Sequence, residues 1–254
     1  IEIVTIFLNM LDNAEFRKQF IDSYCLITGS VFNPTRCAAI IRELATRVEK
    51  WVNPWSTAND LISRLNASYQ ATNINYLKNY SRMKLSKTTP ITATFSANID
   101  EAHLTLNGLP VPTDAFSGKL FAPITLKAQA PAGYTFKGWA SSTVATEAEY
   151  EDGETVLNLS EGNNTTVILY AVWEVNKHTL SILVEGKGTA TASFGTTSNV
   201  TTAQVPYGAN VRLNQTAAEG YTFVSWSVGT NSFDMPDEDV TITATFKANT
   251  YKVH

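Results

Sequence analysis

Gly133-Tyr134-Thr135-Phe136-Lys137-Gly138-Trp139 and Gly220-Tyr221-Thr222-Phe223-Val224-Ser225-Trp226 are one motif, GYTF-x-x-W, written twice at an offset of 87 residues. The register holds upstream, where Ile124-Thr125-Leu126 answers Val211-Arg212-Leu213. Each motif follows an alternating strand pattern and precedes a polar loop. Each loop leads to a closing strand, Ile168-Leu169-Tyr170-Ala171-Val172-Trp173 in the first copy and Val240-Thr241-Ile242-Thr243-Ala244-Thr245-Phe246 in the second. A repeat of this kind makes each copy one folding unit.

Upstream of the repeat the periodicity is helical. Phe16, Phe20, Tyr24 and Ile27 recur at helical spacing and share one face. Asp12 with Glu15 three residues on predicts a capping pair, and Gly29-Ser30 a helix end. Asn33 predicts the next cap, with Pro34 at the first position, where a missing N–H is harmless. Cys37, Ile40, Ile41, Leu44, Val48 and Trp51 form a stripe, broken by Asn53-Pro54. Two shorter helices are expected over 58–69 and 73–84, with neighbours antiparallel.

Near residue 88 the period changes to two. Ile91, Ala93 and Phe95 alternate with Thr92, Thr94 and Ser96. The expected fold is therefore multidomain α plus β. A helical segment spans 1–87, and two small mostly-β modules, β-grasp-like or sandwich-like, span 88–175 and 176–254. The first module has the longer loop after its motif (140–166). Its acidic stretch 147–154 should be exposed.

The chain carries 19 Lys+Arg against 23 Asp+Glu, unevenly distributed. Residues 1–87 hold 11 basic and 7 acidic residues; the remainder holds 8 and 16. An acidic repeat region argues against nucleic acid, which needs a concentrated basic face. No apolar run reaches membrane-spanning length, so this chain is not expected to insert in a membrane. The chain opens at Ile1 without a signal pattern, the mark of a fragment or a processed chain. Asn249-Thr250-Tyr251-Lys252-Val253 resembles Asn176-Lys177-His178-Thr179-Leu180, so the parent is expected to continue into another repeat.

The GYTF-x-x-W motifs with their closing strands resemble the Listeria–Bacteroides repeat, the B-repeat type of internalin-like surface proteins. Phe233-Asp234-Met235-Pro236 before the second closing strand is similar to the divergent version of that repeat. The resemblance implies small β-rich modules strung along secreted or cell-surface bacterial proteins. The helical part resembles the C-terminal end of CotH-like (spore-coat-protein-H type) kinase domains, through Leu11–Phe20, Val31-Phe32-Asn33-Pro34-Thr35-Arg36 and Ile40-Ile41 with Glu43. That family's nucleotide-binding residues lie upstream of such a segment, and none can be placed on this chain.

The residues themselves offer no catalytic site. There is no G-x-x-x-x-G-K-[ST] loop and no G-x-S-x-G elbow. No cofactor is expected, and the intact parent remains open as a possible kinase. His103, His178 and His254 share no ligand spacing with cysteine. Asp234, Asp237, Glu238 and Asp239 form an acidic cluster that invites Ca²⁺; a solvated turn around Pro236 is the alternative. Tyr134, Trp139, Tyr221 and Trp226 stand at matching places in both copies, as core residues do, so a structural role is expected. Tyr150 or Phe116 would be better placed to stack on a sugar. Cys25 and Cys37 lie six residues either side of Val31. An antiparallel helix pair would bring them level, as a disulfide or as two buried thiols. The expected role is a non-catalytic stalk, adhesive array or protein-interaction array outside the cell. The alternative is a module binding a glycan or protein through loops of one β domain. A patch around Ile3, Phe7 and Leu8 is expected to face solvent, the first β domain or another copy of the chain.

Overall fold

The computed structural model describes residues 2–68, 70–151, 155–157 and 166–250. The chain forms two compact units. The first comprises Ile1–Ala130 and Phe136–Val172; the second comprises Pro131–Thr135 and Trp173–His254.

In the first unit the helices are α1 (Glu2–Met10), α2 (Ala14–Gly29), α3 (Pro34–Val48), α4 (Trp55–Ser68) and α5 (Gln70–Asn79), followed by a 3-10 turn at Ser81–Met83. The α2 cap is Asn13, not Asp12. Its Oδ1 accepts from the Glu15 and Phe16 amides at 2.9 and 3.0 Å. Asp12 stands one residue too early for those amides and faces Arg82 at 3.3 Å instead. Asn33 caps α3 as expected, accepting from Thr35 and Arg36, with Pro34 in the first turn. The aromatic face of α2 meets α1 through Phe7, whose ring lies 6.1 Å from Phe16 and 5.1 Å from Phe20.

The opposite side of α2 buries Ile21, Cys25 and Leu26. At its end Gly29 lies against the Phe116 ring of strand Ala115–Leu120, with its Cα 3.0 Å from where a Gly118 side chain would start. Two glycines thus let helix and strand close together, because any side chain at Gly29 would overlap that ring. Asn33 adds a hydrogen bond from Nδ2 to the Ser117 carbonyl, 3.0 Å.

The α3 stripe does not form the core. Its buried residues are Ala38 and Ala45, while Ile40, Leu44 and Val48 are exposed, as is Trp51 beyond the helix end, at 78%. Small residues turn inward because α4 packs there at close range. On α1, Ile3 is 83% exposed, and Val4 and Ile6 also face solvent, whereas Phe7 and Leu8 are half-buried.

The β architecture is built twice with one topology. In the first copy one sheet runs Ala115–Leu120, Ile91–Ser96, Thr166–Val175, Tyr134–Ala140, and the other Leu109–Pro110, His103–Leu106, Ile124–Gln129, Thr155–Leu157. In the second copy the orders are Thr202–Pro206, Lys177–Glu185, Val240–Ala248, Tyr221–Trp226 and Thr197–Val200, Gly188–Phe194, Asn210–Ala217, Ser232–Asp234. Each copy has a parallel pair between its opening and closing strands. Two facing sheets make the modules sandwich-like, with no helix among the described residues of 88–250. The first copy alone extends its sheet by Tyr150–Glu151, which pairs with Gly138 and Trp139. The strand alternation is the one a half-buried sheet requires, buried at Ile91, Ala93 and Phe95 and again at Ile242, Ala244 and Phe246. In the long loop Glu147 and Glu149 are exposed; Asp152 and Glu154 lie outside the described residues, as do Tyr251, Lys252 and Val253.

Candidate functional site

Trp139 and Trp226 occupy equivalent buried places, at 0% and 5% exposure. Each packs against the phenylalanine three residues earlier, with ring centroids 5.3 and 5.5 Å apart. Neither indole N–H has a hydrogen-bond partner. Tyr134 and Tyr221 are half-buried; Tyr221 packs against the core that holds Trp226, and the Tyr134 ring lies 6.4 Å from that of Tyr207. The two tryptophans are buried in the core.

The motif's first residue makes a turn that needs φ near +77°, and glycine supplies it at both Gly133 (+77°) and Gly220 (+78°). Each closing strand is followed by an asparagine that ties back to that turn. Asn176 donates its backbone N–H to the Gly133 carbonyl at 2.8 Å, and Thr135 Oγ1 donates to Asn176 Oδ1 at 2.7 Å. In the second copy Asn249 and Thr222 repeat both bonds, at 2.8 and 2.6 Å. Glycine, threonine and asparagine form a latch between the strand that enters and the strand that leaves.

In the second unit the first latch holds a carboxylate. Asp237 Oδ2 accepts from the Gly133 N–H at 3.0 Å. Its Oδ1 accepts from Asn176 Nδ2 at 3.0 Å and His178 Nε2 at 2.7 Å. Three donors on one carboxylate favour its charged form. The Asn176 bond first, then His178 and the Gly133 amide, hold Asp237 below the usual carboxylate range. The Tyr207 ring covers Gly133 so closely that an added Cβ would sit 1.9 Å from its Cδ1. Tyr207 N–H also donates to the Asn176 carbonyl, 2.8 Å.

The acidic cluster is spread over several donors, although His178 lies within reach of both Asp237 and Asp239, at 2.7 and 3.8 Å. Asp234 Oδ1 accepts from Asn210 Nδ2 at 2.9 Å, Asp239 Oδ1 from the Thr179 amide at 2.7 Å, and Asp237 serves the latch. Among the described residues no group of three or more His, Cys, Asp and Glu has metal-binding geometry. His103 pairs with Asp114, at 3.1 Å, far along the chain from His178. Phe116 is 1% exposed, so it stacks in the core and offers no face to a sugar; Tyr150 is 50% exposed. Cys25 and Cys37 are free thiols. Burial, followed by the neighbouring Asp22 charge, pushes the Cys25 thiol up to about 12. The Cys37 thiol donates to the Val31 carbonyl. An open groove of about 590 Å³ lies beside the end of α2 and the start of α3, with Arg36 its one charged lining residue.

Residues 118–177 and 179–250, more than half of the chain, match the family described as the divergent InlB B-repeat domain. The chain belongs to the divergent InlB B-repeat family. The B-repeat match covers both latches and both tryptophans. A protein of Evansella cellulosilytica bearing the name "Putative membrane protein" is 28% identical over 130 residues, which is 48% of this chain and 17% of that relative. The Bacillus anthracis TIE protein aligns in structure over 62% of this chain and 34% of its own, with 16% identity and a TM-score of 0.34. A C-terminal fragment of the pilus adhesin SpaC from Lactobacillus rhamnosus GG aligns over 66% and 100%, with 11% identity and a TM-score of 0.32. Structural likeness at that level carries no argument about function. Among the described residues, no helix is long and apolar enough to cross a membrane.

Asp237 with Gly133 and Asn176 is the part of the B-repeat that sequence reasoning missed. The available signal was the asparagine standing at the same place after each closing strand.

Proposed function

We propose that this chain is a non-catalytic part of a bacterial cell-surface protein whose two B-repeat modules serve as a stalk or protein-interaction array. The observation that carries the reading is where the polar groups go. Gly133, Thr135, Asn176, His178 and Asp237 bond to one another and hold the repeat's own turns. The B-repeat family and the membrane-protein name of the relative support a surface location. In this reading the helical segment is the tail of a CotH-like domain. The outward apolar residues Ile3, Val4 and Ile6 on α1 and Leu44 and Trp51 at α3 support a further body packing there, whether an upstream domain or another copy. Antibodies against residues 88–250 should label intact, unpermeabilised cells of the producing bacterium. Labelling only after permeabilisation would overturn the surface reading. Calorimetry of this chain with ATP–Mg²⁺ should show no binding; tight binding would overturn the non-catalytic part.

A further inference from the structure

The two latches have the same backbone and the same internal bonds, but only one is filled. Gly133 is buried, under Tyr207 and against Asp237, and Asn176 is half-buried. Gly220 and Asn249 are exposed. An added Cβ on Gly220 would meet nothing within 4 Å. Among the described residues the Gly220 N–H and Asn249 Nδ2, the two donors whose counterparts hold Asp237, have no acceptor. A turn that presents two converging donors, with one carboxylate already seen to satisfy the identical pair, is a preformed acceptor for aspartate.

We infer that Gly220, Thr222 and Asn249 form a docking socket for a further B-repeat module joined in line after Asn249, whose aspartate and tyrosine take the parts of Asp237 and Tyr207. This inference rests on reading the B-repeats as an array. A second copy of this chain is the poorer occupant, because its own Asp237 and Tyr207 already serve Gly133. The sequence agrees, since Thr250-Tyr251-Lys252-Val253 follows Asn249 as Lys177-His178-Thr179-Leu180 follows Asn176. The socket would then repeat, toward the next module's aspartate, the bonds that Gly133 and Asn176 make to Asp237 within the second unit.

The test extends the chain, through Asn249, by a second copy of residues 177–249, and reads amide hydrogen exchange at Gly220. Exchange there should slow at least tenfold on extension. It should speed up again, toward the original rate, when Asp237→Ala is placed in the appended copy only, with that copy's strand amides still protected. An unchanged Gly220 rate beside protected strands in the appended copy would overturn the inference, as would slowing that ignores the Asp237→Ala change. Slowing that grows with concentration in the unextended chain would assign the socket to another copy and overturn the in-line form. A second measurement needs no extension: Asp237→Ala in the chain as it stands should speed Gly133 exchange severalfold toward the Gly220 rate, with Tyr207 still covering the turn, and an unchanged Gly133 rate would remove the basis of the inference. Loss of the socket would leave the stalk reading standing, whereas loss of surface labelling would leave the socket untouched.

Discussion

Replacing Trp226 by alanine and by phenylalanine separates two contributions of one side chain. The indole is 5% exposed and packs on Phe223 in a core with Ile242, Ala244 and Phe246. A tryptophan buries about 200 Å² of side-chain surface. At about 25 cal/mol per Å² that burial is worth ~5 kcal/mol. The buried N–H without an acceptor offsets ~1–2 kcal/mol of it, the desolvation cost of an unmet donor. Trp226→Ala should therefore destabilise the second unit by about 3–4 kcal/mol, within the range for emptying an aromatic core site. Trp226→Phe keeps most of the ring contact and deletes the unmet donor, so it should cost less than about 1.5 kcal/mol. Because the chain has two units, the assay is native-state hydrogen exchange of amides in strand Val240–Ala248 rather than a single global melt. A loss below about 1 kcal/mol for the alanine variant would refute the core reading. A phenylalanine variant as damaged as the alanine one would show that the indole N–H is satisfied.

Four further outcomes follow from the same geometry. Gly220→Ala should cost ~1–2 kcal/mol from its left-handed backbone alone, and Gly133→Ala a further ~1–3 kcal/mol from overlap with Tyr207, compared by urea titration read through exchange in the second unit. Alkylation at neutral pH should modify half-exposed Cys37 well before Cys25, by peptide mass. Since Cys25 rises from 9.0 to about 12 on folding, the folded state holds that proton more tightly, and stability of the first unit should fall as pH climbs above about 9. Asp237 is shifted the other way. Its contribution is fully present above the ordinary carboxylate value and is lost as pH falls through the depressed folded value, so Gly133 exchange, corrected for its intrinsic pH dependence, should accelerate only below the usual carboxylate range.

The repeat was legible because a GYTF-x-x-W motif must place its aromatic on the same core face each time, and Trp139 and Trp226 do so. The Asn33-Pro34 helix start was legible because cap chemistry is local. Capping at Asn13 rather than Asp12 was missed by one residue, since both types cap and only the chain's path decides which amides each reaches. The α3 stripe failed for another reason. Periodicity tells which residues share a face, but whether anything covers that face depends on neighbours, and α4 covers Ala38 and Ala45 instead. Phe116 was open to a better reading, because Phe116, Gly118 and Leu120 alternate inward on one strand. The matching asparagines signalled the latch, but its filling was out of reach: Asp237 stands 104 residues from Gly133, and only the topology brings them together.

The most direct test of this account compares two amides in one unmodified chain. Gly133 and Gly220 share a motif and a backbone conformation, and they differ in whether a carboxylate and a tyrosine sit on them. Hydrogen exchange should find the Gly133 amide protected at least tenfold more than the Gly220 amide, after correction for sequence. Equal exchange at the two glycines would contradict the claim that Asp237 and Tyr207 close the first latch and leave the second open.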